Sequence, residues 1–172
     1  EVVGDLLPHR GHDDQAHLAI AMKTERIVTG PLVTPLARRR IHQLARETVT
    51  LDRLSGGRLV LGVGLGSDRT GEFDPARFGE EGDAKARAKL LDDGLEQLLA
   101  YWNGEFEPRP VTTIPIWVAS RWPHRRPLRR AARFDGMFPI DLPGPNELAQ
   151  LVEEVASLRE SKGPFDIVVE IP

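Results

Sequence analysis

The feature that most constrains this chain is its alternation of two hydrophobic periods. Short apolar or β-branched runs, of strand length, are separated by stretches whose apolar residues recur at spacings of three and four. Ile27-Val28-Thr29-Gly30-Pro31-Leu32-Val33 ends at Thr34-Pro35 and reads as a buried strand closed by a turn. Between Arg38 and Leu54, the residues Ile41, Leu44, Ala45, Thr48 and Leu51 form one helical stripe that Ser55-Gly56-Gly57 stops. The run from Arg58 to Gly64 is the next strand, almost continuously apolar, as suits a strand covered on both faces. A polar loop spans Leu65 to Gly82. The pattern then repeats. A helix from Asp83 to Trp102 presents Leu90, Leu91, Leu95, Leu98, Leu99 and Trp102, and a strand covers Ile116 to Ala119. A short arginine-rich helix, Pro127 to Arg133, leads to a weaker strand, Gly136 to Ile140. Gly144-Pro145-Asn146 opens a helix carrying Leu148, Leu151, Val152, Val155 and Leu158, and Asp166 to Ile171 is the last strand. Upstream, Gln15 to Thr24 reads as a helix and Val2-Val3 as a strand stub. Strand and helix alternate with no run of hairpins, so the class is α/β with parallel strands.

Two layouts satisfy that class, an open doubly wound sheet or a closed barrel. A complete (β/α)8 barrel takes about 250 residues, against the 172 present. The formal charge of −3 gives no bulk attraction to nucleic acid, and zero cysteines exclude disulfides, thiolate metal sites and a Cys nucleophile. With no apolar stretch near the ~18 residues that span a bilayer and no signal-peptide core after Glu1, the expectation is a soluble cytoplasmic protein without membrane or nucleic-acid partners.

Gly62, Gly64 and Gly66 form G-x-G-x-G at a strand end but do not open into a helix, as a dinucleotide-binding fingerprint must. Their small size either lets a flat ring or phosphate approach the backbone or relieves crowding within the sheet. Gly30-Pro31 is either a bulge that bares backbone to a ligand or a plain strand ending. Arg121, Arg125, Arg126, Arg129, Arg130 and Arg133 crowd the segment after a strand. For most of them a solvated helix face is the better reading, while Ser120 and Arg121, at the strand end, suit phosphate capture. His9 and His12 lie beside Asp13 and Asp14 in what reads as a solvated loop, and no metal site is expected. Glu80, Glu81 and Asp83 precede a helix and suit its N-terminal dipole. No nucleophile elbow, Walker motif or H-E-x-x-H is present, so no catalytic residue is assigned. Any redox chemistry would fall to a bound cofactor.

Several motifs in order carry a family likeness. They are Thr24-Glu25-Arg26-Ile27 with Gly30 and Val33-Thr34-Pro35-Leu36, Leu44-Ala45-Arg46-Glu47, Leu51-Asp52-Arg53-Leu54-Ser55-Gly56-Gly57-Arg58-Leu59, and Gly62-Val63-Gly64. Gly71-Glu72-Phe73, Trp102-Asn103-Gly104, Pro115-Ile116-Trp117-Val118-Ala119 and Ala131-Ala132-Arg133-Phe134-Asp135-Gly136 continue the series. Together they resemble the luciferase-like monooxygenase family, part of the bacterial luciferase superfamily. The resemblance implies a (β/α)8 TIM barrel, here with about six βα units in one domain over residues 1–172, lacking the first strand and helix and the last unit. It implies FMN or coenzyme F420 at the strand carboxyl ends, a small organic substrate, and a homodimer. In such proteins the third strand's end, often with a non-proline cis peptide or bulge, presses on the ring, and Gly30, Pro31 and Thr34 match it. Gly64, Gly66 and Ser67 match the fourth strand's end, and Ala119, Ser120 and Arg121 the fifth's, near ring edge, ribityl chain or phosphate. Two departures stand out. Many relatives have an Asp-His pair where Asp5 is followed by Leu6, and only Glu105, Phe106 and Glu107 remain of a longer connection. The alternative reading is a non-catalytic barrel relative that binds a flavin or phosphate ligand.

Overall fold

Wherever strands pair among the described residues, which are 2–3, 14–66 and 75–169 of a computed structural model, they run parallel. The chain divides into two compact units, Glu1–Ile114 and Pro115–Pro172.

In the first unit, β1 (Val2–Val3) pairs with β2 (Val28–Thr29) across the helix α1 (Asp14–Lys23). β3 (Thr34–Pro35) pairs with β4 (Leu61–Gly64), with Thr34 opposite Val63 and Pro35 opposite Gly64. The strand expected over 27–33 is thus confined to Val28–Thr29, and a second short strand stands at Thr34–Pro35 in place of the expected turn. Pro31 donates no ladder bond and interrupts the run, the Leu32–Val33 peptide is cis, and Pro35 lies inside β3 rather than closing a strand. Pairing nevertheless continues past the formal bounds of β2 and β4. Thr29 N donates to Arg58 O, Val60 N to Thr29 O and Gly62 N to Pro31 O, each at 3.0 Å. The two backbones approach so closely that a Cβ on Gly30 would lie 1.7 Å from Val60 O, and one on Gly62 2.4 Å from Pro31 O. Only glycine fits at either place.

The helix α2 (Ile41–Ser55) buries Leu44, Ala45, Thr48, Val49, Asp52 and Ser55 and ends at Gly56, whose left-handed conformation supplies the cap. Ile41 and Leu51 of the expected stripe are only half-buried. A four-residue helix, α3 (Pro75–Phe78), occupies part of the expected loop. Asp83 caps α4 (Ala84–Ala100) by accepting from Ala86 N at 2.7 Å, while Glu81 accepts from Asp83 N at 2.7 Å. Of the dipole partners expected there, Asp83 and Glu81 act through direct hydrogen bonds at the helix start, whereas Glu80 pairs with Arg38 at 3.7 Å. Leu91, Leu95 and Leu98 are buried, but Leu90, one step around the helix from Leu91, is 43% exposed. A π-type turn, Tyr101–Glu105, buries Trp102.

In the second unit, β5 (Ile116–Arg121), α5 (Arg126–Ala131), β6 (Gly136–Ile140), α6 (Pro145–Leu158) and β7 (Asp166–Ile167) come in that order. β6 pairs with β5 on one side and β7 on the other. β5 runs two residues beyond its expected end, whereas β7 stops at Ile167, short of the expected Ile171. Ile116, Val118, Leu128, Ala131, Met137, Leu151 and Val155 fill the core of this unit. Val152 and Leu158, expected on the buried stripe of α6, face outward at 40% and 37% exposure. No helix among the described residues is long and apolar enough to cross a membrane.

Candidate functional site

The first unit lays its candidate residues along β4, with Gly30 and Pro31 against Val60 and Gly62 and Thr34 opposite Val63 near the carboxyl end. Gly64 is the last residue of that strand and is buried, and Pro35 stands opposite it in register. Thr34, one step earlier, is fully buried, and among the described residues its Oγ1 has no hydrogen-bond partner. Buried hydroxyls are ordinarily satisfied, so this orphaned group marks a place where a polar ligand edge has something to gain. Gly30 and Pro31 are buried along the adjoining segment, and Gly66 beyond Gly64 is exposed. The close backbone contacts at Val60 and Pro31 are by themselves sufficient reason for glycine at 30 and 62. The cis peptide at Leu32–Val33 falls within the stretch where the family likeness leads one to look for it. Ser67 lies outside the described residues, as do Asp5, Leu6, His9, His12, Asp13 and the Gly71-Glu72-Phe73 motif.

In the second unit, Ala119, Ser120 and Arg121 are the last residues of β5. Ser120 is buried at 1% exposure and stands opposite Pro139. The Arg121 guanidinium is paired with the carboxylate of Asp141, a residue held at φ +56° just after β6. Arg125 bonds Glu154 on α6 at 2.9 Å and stacks over Trp122 at 4.6 Å. The arginine run is therefore partly a packing device that joins α5 to α6, and Arg126, Arg129 and Arg133 are exposed.

Three residues that sequence reasoning does not single out organise the first unit, and two of them, His17 and Arg58, bond at or next to the 27–34 segment. His17, buried on α1, places Nδ1 3.3 Å from Thr29 Oγ1. Asp52, fully buried, accepts from Val111 N at 2.7 Å and from the Thr112 amide and hydroxyl at 3.4 Å. Arg58 spreads its guanidinium over the carbonyls of Ala21, Thr24, Ile27 and Ser55. Asp52 carries a readable signal, since a carboxylate at core spacing after Ala45 and Thr48 needs a buried partner.

Parallel βα repeats with small residues and an unsatisfied hydroxyl at a strand's carboxyl end define a class of α/β protein that binds ligands on that edge. The chain belongs to the luciferase-like monooxygenase family, whose sequence profile matches residues 15–172. The phthiodiolone/phenolphthiodiolone dimycocerosates ketoreductase of Mycobacterium sp. (strain JLS) is 33% identical over 165 residues, covering 86% of this chain and 42% of that protein. The enzyme of the same name from Mycobacterium kansasii is 31% identical over 163 residues, covering 85% and 44%. Among solved structures, the oxygenating constituent of 3,6-diketocamphane monooxygenase from Pseudomonas putida, in complex with FMN, superposes with a TM-score of 0.73 at 16% identity. The coenzyme F420-dependent tetrahydromethanopterin reductase of Methanopyrus kandleri gives 0.75 at 20% identity. Both superpositions cover 98% of this chain and 56% of the solved one. The chain thus spans less than half the length of the two ketoreductases. The structural likenesses are likenesses of fold, and they decide between the two layouts: the parallel repeats are those of a luciferase-like (β/α)8 barrel.

Proposed function

We propose that the chain carries cofactor-binding residues of a flavin- or F420-dependent oxidoreductase that acts on a small organic substrate. The observation that supports this reading is the buried, unpartnered Thr34 hydroxyl beside the carboxyl end of β4. A ring system with carbonyl and N–H edges offers such a hydroxyl the partner it lacks. In the first unit, Gly30, Pro31, Thr34, Gly64, Gly66 and Ser67 would border the ring. In the second, taken by itself, the strand end at Ala119, Ser120 and Arg121 would suit a phosphate group, with Asp141 fixing the direction of the Arg121 guanidinium, whose remaining N–H groups suit phosphate oxygens. The bound group would supply the hydride or oxygen chemistry for which the candidate side chains have no redox capacity of their own. The name of the two mycobacterial relatives favours reduction of a ketone among the reactions open to such an enzyme.

Titration of the protein with FMN and with F420, followed by fluorescence, tests the reading. Saturable binding of one of them at micromolar concentration is expected, with bleaching of the bound chromophore by a reduced nicotinamide or by a reduced substrate. Failure of both to bind overturns the proposal. Binding without bleaching by any reductant favours the non-catalytic alternative.

A further inference from the structure

Arg58 stands between the end of α2 and the start of β4, where three stretches of backbone converge. Nε donates to Ser55 O at 2.7 Å, the last residue of α2. Nη2 donates to Ala21 O at 2.8 Å and Thr24 O at 2.7 Å, at the end of α1. Nη1 donates to Ile27 O at 2.6 Å, just before β2, and to Thr24 Oγ1 at 3.0 Å. The rigid fork of donors in a guanidinium is what allows one side chain to reach this many acceptors at fixed angles. Its main chain acts on the same target, since Arg58 O accepts from Thr29 N at 3.0 Å.

The connection from α1 into β2 is therefore pinned from one residue, and the next stretch of chain is pinned in turn. Val60 N bonds Thr29 O and Gly62 N bonds Pro31 O, after which Thr34 sits opposite Val63. The register is unforgiving, because Gly30 and Gly62 pass the opposing carbonyls with no room for a side chain. Displacement at residue 27 is passed through the bonded positions Thr29 and Pro31 toward Thr34.

We infer that Arg58 is a positioning residue: by holding the α1–β2 connection it sets where Gly30, Pro31 and Thr34 stand, and with them the ring-binding surface. The inference rests on the cofactor reading above for its functional half and on the backbone geometry for the rest. Lysine, a point charge on a flexible stem, cannot reproduce the fork.

The test compares Arg58→Met and Arg58→Lys with the wild type and with Asp52→Asn. Asp52 lies in the same unit, but its bonds go to Val111 and Thr112 rather than to the 27–34 segment. Two quantities are read at a temperature where melting curves show each protein folded. One is FMN and F420 affinity by titration, and the other is amide hydrogen exchange at Val60 and Gly62 in the ligand-free protein. For Arg58→Met, a loss of at least about tenfold in affinity and a similar acceleration at both amides are expected. Leu95 in α4 should exchange at its original rate. Arg58→Lys should fall between, and Asp52→Asn should change neither quantity. The inference is overturned if Val60 and Gly62 exchange at the wild-type rate in the Arg58 variants, if a folded variant binds as tightly as wild type, or if Asp52→Asn reproduces both changes. If Arg58→Met does not fold, Arg58→Lys carries the comparison. Should wild type bind neither cofactor, the functional reading fails on its own, and the exchange rates still decide whether Arg58 places the segment.

Discussion

The indole Nε1 of Trp102 donates to the hydroxyl of Thr48 at 3.1 Å, and that hydroxyl donates onward to Leu44 O at 2.7 Å. Both side chains are buried, so the aromatic anchor after α4 is tied to the middle of α2 by a polar bond inside the core. Thr48→Val keeps the shape and removes the acceptor, leaving a buried N–H unpaired. That should cost about 1–3 kcal/mol. Thr48→Ser should recover most of it. In Trp102→Phe the second partner is gone, so the double variant should be less destabilised than the sum of the singles. Urea unfolding of these proteins measures this, and a Thr48→Val midpoint equal to wild type would remove the bond from the account.

Gly30 and Gly62 make a prediction about shape alone. Alanine at 30 would put Cβ 1.7 Å from Val60 O, and alanine at 62 would put it 2.4 Å from Pro31 O. Each obstacle is backbone, which cannot swing aside. Either substitution should cost about 3 kcal/mol or more, at or beyond the usual range for overpacking. Gly144, with φ 178° and its nearest neighbour a glutamate oxygen at 3.4 Å, is the control, and alanine there should stay within about 1 kcal/mol of wild type. Comparable thermal stability of Gly30→Ala and Gly144→Ala would show that the two backbones do not pass as closely as described.

Asp52 tests whether a buried carboxylate is there for its donors. It takes one short bond from Val111 N and longer ones from Thr112. Alanine should destabilise by about 1–3 kcal/mol, since bonds to a charged acceptor are lost. Asparagine keeps one acceptor oxygen and should cost less than alanine. Denaturant titration ranks them, and equal losses for both variants would show that the charge, rather than the bond to Val111, is what the site requires.

The Lys89 ammonium bonds Asp93 at 2.5 Å, one helical turn away on α4. That bond, then the charge of Asp93, holds its pKa above the ordinary 10.5. A raised folded-state value stabilises below the unfolded pKa and loses that contribution as pH climbs through the folded one, so the pH dependence is confined to strongly alkaline solution. NMR titration of Lys89 should show a value above 10.5 that returns toward it in Asp93→Asn. Because the pair is exposed, Lys89→Met should melt with the wild type at neutral pH.

How much of this structure is legible in the sequence depends on whether the cause is local. The α2 stop at Gly56, the cap at Asp83 and the order of the βα units come from short-range periodicity and turn chemistry, and the structure has them close to where those rules put them. The 27–33 run reads as one strand closed by a turn at Thr34-Pro35, because where pairing stops and resumes depends on how the segment lies against 58–64. Leu90 and Val152 look like core residues, yet each sits one position from the residue that packs inward. The candidate residues at 30, 31, 34 and 64 are pointed to by family likeness. The property that distinguishes Thr34 among them, a hydroxyl buried without a partner, is a tertiary fact that no spacing encodes. Arg58 lies within a family motif, but its acceptors, as far back as Ala21, are assembled only by the fold.

Thr34 gives the prediction in which stability and binding move in opposite directions. In the ligand-free protein its Oγ1 is desolvated with nothing to bond among the described residues, so Thr34→Val removes an uncompensated polar group at nearly constant shape. The ligand-free variant should be as stable as wild type or more so, by up to about 1 kcal/mol. If the hydroxyl meets the edge of a bound ring, the same substitution removes a buried hydrogen bond from the complex, and affinity for the cofactor should fall about tenfold, equivalent to about 1.4 kcal/mol. Thr34→Ser should bind like wild type while giving up a little stability for its lost methyl. Melting curves with and without cofactor separate the two effects, because the stabilisation conferred by ligand should shrink in valine while the ligand-free melting point does not. A valine variant that loses stability without ligand would mean that the hydroxyl already has a partner within the protein. One that keeps full affinity would move the ring away from β3.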